Sequence, residues 1–342
     1  MKIALIGGAG FVGSHLTHAY LNAGHDVFVI DSLVHGAREA LDKRARFYQL
    51  DIRDSKLQTI LQAERPDIVS HHAVQREHGL PCEGSLTDAD VHIRGLLNVL
   101  TGCVQAQVKK LIFASGGNSL YRRNPLQNAE TPIPPTSEDV EACPLYPQDI
   151  SKLAGEWYVR YYGHEYHLPY LILRYADIYG EADSARAWHP LTSFLSQLVR
   201  QHRPTIRGTD CDVRDHIFID DVVQANLCAL ERGHNETLHI SSARGYSLKQ
   251  FYHTAACLLQ SELAPLYVSP SQSEPTAIVL DNRRANQVLK WQPEIDFLKG
   301  VAMAVERLCG KAILAQLPNA QTHTEPLNVA LLEPLMPSPA LA

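Results

Sequence analysis

Over residues 1–180, short runs of β-branched and aliphatic residues alternate with longer stretches whose apolar positions recur every three to four residues. Period two puts alternate side chains on one face of a strand, and period 3.6 puts them on one face of a helix. The runs at 2–6, 27–30, 46–49, 67–70, 110–113 and 169–173 read as strands, and 11–23, 55–63, 86–107 and 148–166 read as helices. Strands alternating with helices and joined by short connections predict an α/β fold: a doubly wound parallel sheet with crossover helices on both faces.

Past Gly180 the periodicity weakens. A helix near 191–201, a strand near 215–219 and helices at 220–231, 247–260 and 297–309 predict a smaller mixed α/β lobe. The expected division is a cofactor domain over 1–180, a substrate lobe over 181–310 interleaved with it, and a tail over 311–342. That tail is rich in Pro and Ala and poor in charge, which suits an extended segment better than a domain.

Composition narrows the partners. A net charge near -6, with charged residues at 20%, supplies no basic field for nucleic acid or an anionic membrane. The cysteines, at 82, 103, 143, 211, 228, 257 and 309, are odd in number and include no C-x-x-C pair. Neither a disulfide framework nor a metal site is expected, and reduced thiols in the cytoplasm fit best. The chain enters "KIALIGGAG" without a charged leader and has no long apolar run, which predicts a soluble cytoplasmic protein.

Candidate chemistry begins with "ALIGGAGFVGSH", where Gly7, Gly10 and Gly13 follow the first strand and open the first helix. Glycine serves the tight turn, the approach of backbone to a pyrophosphate, and close packing of helix on strand; the helix N-terminus favours the negative charge. The next strand ends in Asp31, 18 residues beyond Gly13. A carboxylate there accepts hydrogen bonds from an adenosine ribose and repels a 2′-phosphate, which favours NAD over NADP. Asp51 and Ile52, after the third strand, are candidates for the adenine edge, or for an ordinary turn.

The chain resembles the extended short-chain dehydrogenase/reductase family, in its branch of NAD-dependent nucleotide-sugar epimerases and dehydratases. The resemblance runs over about 1–309 through "GGAGFVGSH", "DIRD" (51–54), "HHAV" (71–74), "FASGGNSLY" (113–121), "ISKLAGE" (150–156), "LRYADIYG" (173–180), "RDHIFIDDVVQAN" (214–226) and "LDNRRANQVLKWQPEI" (280–295). It implies a Rossmann fold, bound NAD touching Phe11, Val12, His72, Ala73 and Lys152, a nucleotide-sugar substrate, and a homodimer built on the helices 86–107 and 148–166. Val91, Leu96, Val99, Leu100, Leu153, Trp157 and Val159 are the apolar positions of those helices, and packing on the sheet explains many of them equally.

In such enzymes a Tyr four residues before a Lys moves a proton at a sugar hydroxyl. The logic is physical: a phenol serves as a base near neutrality only beside an ammonium, and i,i+4 spacing puts the two on one helix face. Lys152 is present, but Gln148 holds the Tyr position and has no proton to exchange. Tyr146 is the leading substitute; Tyr121, His72, Asp177 and His189 are further candidates, each also explicable as structural. The substrate-orienting hydroxyl is assigned to Ser115, with Ser119 as a second substrate contact, because Gly116 and Gly117 occupy the family's Ser places.

"YRR" (121–123) replaces the family's usual Tyr-Gly turn, and Arg122 and Arg123 could hold an anion or be solvated. The resemblance makes Arg214 a candidate diphosphate contact, with a salt bridge to Asp215 or Asp220 as the alternative. Asp177 replaces the usual Asn, and "SPSQSEPTAIVLD" lacks a second phosphate-binding Arg. With the NAD half intact and the substrate half altered, three activities stay open: an epimerase or dehydratase working by transient hydride transfer, a catalytically silent NAD binder, and an enzyme of this class redirected to another reaction.

Overall fold

The computed structural model describes residues 1–75, 81–121, 134–180, 190–207, 213–268 and 277–310, without the side chains of 81–84, 190–194 and 207. His189, Arg122, Arg123, residues 269–276 and the stretch 311–342 lie outside the described residues.

The first half runs β1 (Lys2–Ile6), α1 (Phe11–Asn22), β2 (Asp26–Asp31), β3 (Arg46–Gln49), α2 (Lys56–Glu64), β4 (Ile68–His71), α3 (Pro81–Ala89), α4 (Leu96–Gln105), β5 (Lys110–Gly116), α5 (Pro147–Glu165) and β6 (Tyr170–Tyr175). The second runs β7 (Asp177–Tyr179), α6 (Pro190–Val199), β8 (Thr205–Arg207), β9 (Val213–Phe218), α7 (Ile219–Glu231), β10 (Glu236–Ile240), β11 (Gly245–Ser247), α8 (Leu248–Leu258), β12 (Leu266–Val268), β13 (Ala277–Ile278), α9 (Arg283–Leu289) and α10 (Phe297–Cys309).

Seven strands form one parallel sheet in the order β10-β6-β5-β4-β1-β2-β3. Alternate residues divide between two cores. Ile3, Leu5, Val27, Val29, Ile112, Leu171 and Leu173 belong to one; Ala4, Ile6, Phe28, Ile30, Val69, Leu111, Phe113 and Ile172 belong to the other. A strand buried on both faces favours apolar residues at successive positions, which is why β1, β2 and the start of β6 read as apolar runs. The seventh strand, β10, comes from beyond residue 180 and pairs with β6, so the large sheet is completed by the second half of the chain.

The helix expected over 86–107 is three pieces: α3 starts at Pro81, a π-helical stretch covers Asp90–Gly95, and α4 follows. Inside that stretch His92 Nδ1 bonds the Asp88 carboxylate of the preceding helix at 2.8 Å. Gly95 lies against Ile52, whose Cδ1 would stand 2.6 Å from an added Cβ. Apolar periodicity does not distinguish such a local widening from regular helix.

A smaller mixed sheet joins β11, β9 and β13, with β7 alongside β9. It brings Asp177 next to His216 in register and sets Arg214 near the same edge. No helix among the described residues is long and apolar enough to cross a membrane.

Candidate active site

The chain leaves β1 toward β2 and β3, then returns to build β4 on the other side. The carboxyl ends of β1 and β4 therefore border a crevice, where ligands of open α/β sheets bind. A cleft runs from there along two adjoining cavities that share Gly7, Gly10, His35, His72 and Val74.

The first cavity is lined by Asp31, Ser32, Gly36, Asp51, Ile52 and Ala73 among others. Gly7 has φ +82° and a Cβ there would fall 2.4 Å from Ala73 N; one on Gly13 would fall 2.2 Å from Gly7 O. The turn can close only with glycine at both places. Above Gly10 the space is open, with the nearest atom 3.6 Å from an added Cβ. Helix α1 has no side-chain cap and no acid in its first turn, so its N-terminal amides suit a pyrophosphate. Asp31 is held by Ala9 N at 2.9 Å and Leu33 N at 2.8 Å, which fixes its carboxylate at the cavity wall. Asn98 donates to the carbonyls of Ile52 and Asp54 and so anchors the turn after β3, while Asp51 is paired with Arg53. These residues fit NAD: glycine backbone at the diphosphate, Asp31 at the ribose, Ile52 at the adenine end.

The second cavity takes in Phe11, Val12, Gly13, Ala114, Ser115, Gly116, Gly117, Ser119, Gln148, Asp149, Lys152 and Asp177. Lys152 is buried on α5 and donates from Nζ to the Ala114 carbonyl at 2.9 Å, 5.1 Å from the centre of the Phe113 ring. Gln148 sits one turn earlier on the same helix and lines the same cavity.

The remaining candidates are placed as follows. Tyr146 is the residue that precedes α5; it has extended backbone, is 55% exposed, and is not among the residues lining either cavity. Ser115 is buried and donates to Glu156 Oε1 at 2.7 Å. Glu156 also holds Arg174 through both oxygens, and Arg174 donates to Tyr121 OH at 2.6 Å. Tyr121 OH then meets His239 Nε2 at 2.8 Å, so Tyr121 belongs to a buried network beneath the site. His72 contacts Ser70 and Tyr175, and burial lowers it to about 3, so it is neutral near pH 7.

Arg214 forms its ion pair with Asp177, Nη1 to Oδ2 at 3.5 Å. The expected alternatives, Asp215 and Asp220, are otherwise engaged: Asp215 is buried and accepts from Ser242 and Leu280, and Asp220 pairs with Arg307 on α10.

Asp149 escaped the sequence reading. Its Oδ1 accepts the Ser119 hydroxyl at 2.5 Å, and burial raises its carboxyl above the usual range. The signal was its place beside Gln148 and the two bare glycines at 116 and 117, but nothing local pairs residues 119 and 149.

A doubly wound sheet with a glycine turn at its switch point, an acid at the end of the next strand and a buried helix lysine across the cleft is the arrangement of a dinucleotide-binding α/β protein. The chain belongs to the NAD dependent epimerase/dehydratase family, whose model matches residues 3–241. It is 29% identical to UDP-glucose 4-epimerase of Mycolicibacterium smegmatis over 313 residues, 90% of this chain and 98% of that protein. Its fold is similar to that of the Thermotoga maritima UDP-glucose 4-epimerase solved with UDP-glucose (TM-score 0.83, 32% identity, 90% of this chain and 98% of that one). It is also similar to the Thermus thermophilus enzyme solved with NAD (TM-score 0.81, 28% identity, 91% and 99%).

Proposed function

We propose that this protein is an NAD-dependent epimerase acting on a nucleotide sugar, with a UDP-hexose such as UDP-glucose the first substrate to try. One observation carries the reading: a single cleft passes from the Asp31 end, past the glycine turn, to a cavity lined by the buried Lys152 together with Asp149 and Ser119. NAD bound there supplies reversible hydride transfer at the sugar carbon. Gly7, Gly10 and Gly13 admit the diphosphate, Asp31 takes the adenosine ribose, and Lys152 lies where it would hold the nicotinamide ribose. Arg214 and Asp177 border the substrate end as a pair, which leaves little net charge to attract a diphosphate there.

The reading includes a homodimer. Ile150, Trp157, Tyr158 and Tyr161 are exposed on α5, and Leu86 is exposed on the adjoining α3. An apolar stripe on neighbouring helices suits pairing across a two-fold axis.

A second reading, the catalytically silent NAD binder, draws on Gln148, an amide in the cavity beside Lys152. Proton NMR separates them: the protein with NAD and a panel of UDP-, dTDP- and GDP-sugars is followed at the anomeric signals. A new anomeric signal is expected with at least one UDP-hexose. An unchanged panel, with no turnover gained in Gln148→Tyr either, would favour the silent form.

A further inference from the structure

We propose that Asp149 is the acid/base of this site, with Ser119 as the hydroxyl that orients it; the proposal rests on the epimerase reading. A Cβ added at Gly116 would stand 3.2 Å from Ser119 Oγ and 3.6 Å from Asp149 Oδ1. The space that a side chain at 116 would fill is thus filled by the Ser119 hydroxyl and the Asp149 carboxylate. Gly117 is kept free of a side chain for a different reason, since a Cβ there would come 2.4 Å from the Tyr175 carbonyl.

Helix α5 supplies the geometry. Asp149 and Lys152 are three residues apart, a spacing that stacks side chains on one helix face, and both line the cavity with Gln148. Pro147 opens the helix, where its missing N–H costs nothing, and so sets Asp149 in the first turn. The helix amides there favour an anion, whereas burial opposes one.

The carboxyl is raised chiefly by burial, and the Ser119 hydroxyl pulls it back. The charged groups facing it from neighbouring elements are Asp88 on α3, Asp177 on β7 and Arg214 on β9; the two acids push it up and Arg214 lowers it. A carboxyl raised from its ordinary value binds a proton more firmly than a free one, which suits a group that takes and returns one.

Asp149 would take the proton of the sugar hydroxyl as the C–O bond becomes C=O, and would give it back to the oxygen when the C–H bond re-forms on the opposite face. Bound NAD would supply the hydride acceptor and donor that balance the two steps. Gln148 carries no proton in either direction.

The test uses the full-length protein with its cofactor. Asp149→Asn is expected to lower kcat by about 100-fold or more, with NAD content and UDP affinity within about threefold of the parent. Ser119→Ala is expected to move the acid limb of the pH profile upward, because the carboxyl loses a donor that stabilises its charged form.

A readout independent of turnover is carbon NMR of aspartate carboxyls. One resonance should titrate above the ordinary range, vanish in Asp149→Asn and shift upward in Ser119→Ala. Turnover retained within about threefold in Asp149→Asn, or abolished in Tyr146→Phe instead, would overturn the proposal and leave the epimerase reading standing. A parent protein inactive on every sugar would remove that reading, and a carboxyl resonance in the ordinary range would remove the Asp149 assignment separately.

Discussion

Ser115 donates its hydroxyl to Glu156 Oε1 at 2.7 Å, and the same carboxylate grips the Arg174 guanidinium through both oxygens. Ser115 lines the cleft, yet its proton points away from it, into a buried ion pair. The expected outcome of Ser115→Ala is therefore a stability loss of about 1 kcal/mol with turnover little changed. Glu156→Gln should cost more, on the order of 3–5 kcal/mol, because it leaves Arg174 charged and buried without its counter-ion. Urea denaturation midpoints beside kcat check both; a large loss of kcat in Ser115→Ala at unaltered stability would return Ser115 to the reacting centre.

Asp31 is oriented by two backbone amides and faces the cleft. Asp31→Ala should weaken NAD binding by roughly 10–100-fold, corresponding to one or two lost charge-assisted hydrogen bonds. It should also narrow the gap between NAD and NADP, since the repulsion of a 2′-phosphate goes with the carboxylate. Calorimetric titration of cofactor-stripped protein measures both effects.

Asp215 gives a pH dependence with a defined sign. Burial pushes its carboxyl up to about 7, against roughly 3.9 in an unfolded chain. Between those values the folded state binds the extra proton, so this group's contribution makes stability fall as pH rises through the window and level off above it. The slope attributable to it is at most about 1.4 kcal/mol per pH unit. Denaturation at a series of pH values should show that slope reduced in Asp215→Asn.

Trp157 is 65% exposed in the middle of the apolar stripe on α5. Trp157→Glu should convert a dimer to monomer at micromolar concentration while the fold, read by circular dichroism, is kept. Sedimentation velocity decides it; a parent protein already monomeric would dismiss the dimer.

The cofactor half was legible because its determinants are local. Gly7, Gly10 and Gly13 lie within one strand-turn-helix unit, and Asp31 ends the neighbouring strand. The central strands were legible because burial on both faces leaves them few polar positions. The far end of the cleft is built from distant pairs: Ser119 with Asp149, Asp177 with Arg214, Ser115 with Glu156. Each pair is created by chain crossings that periodicity does not encode, so Ser115 looked suited to orient a substrate although its hydroxyl is committed elsewhere. The π-helical stretch at Asp90–Gly95 stayed hidden for a related reason, since its apolar spacing differs little from that of regular helix.

In the proposed reaction a sugar carbon lends its hydride and receives the same one back. The most direct measurement is mass spectrometry of the product from the active nucleotide sugar deuterated at that carbon, incubated with the NAD-loaded protein in ordinary water. An inverted sugar with the deuterium retained at the same carbon is expected. Product without the label, or label exchanged with solvent, would contradict it and point to proton abstraction from carbon instead.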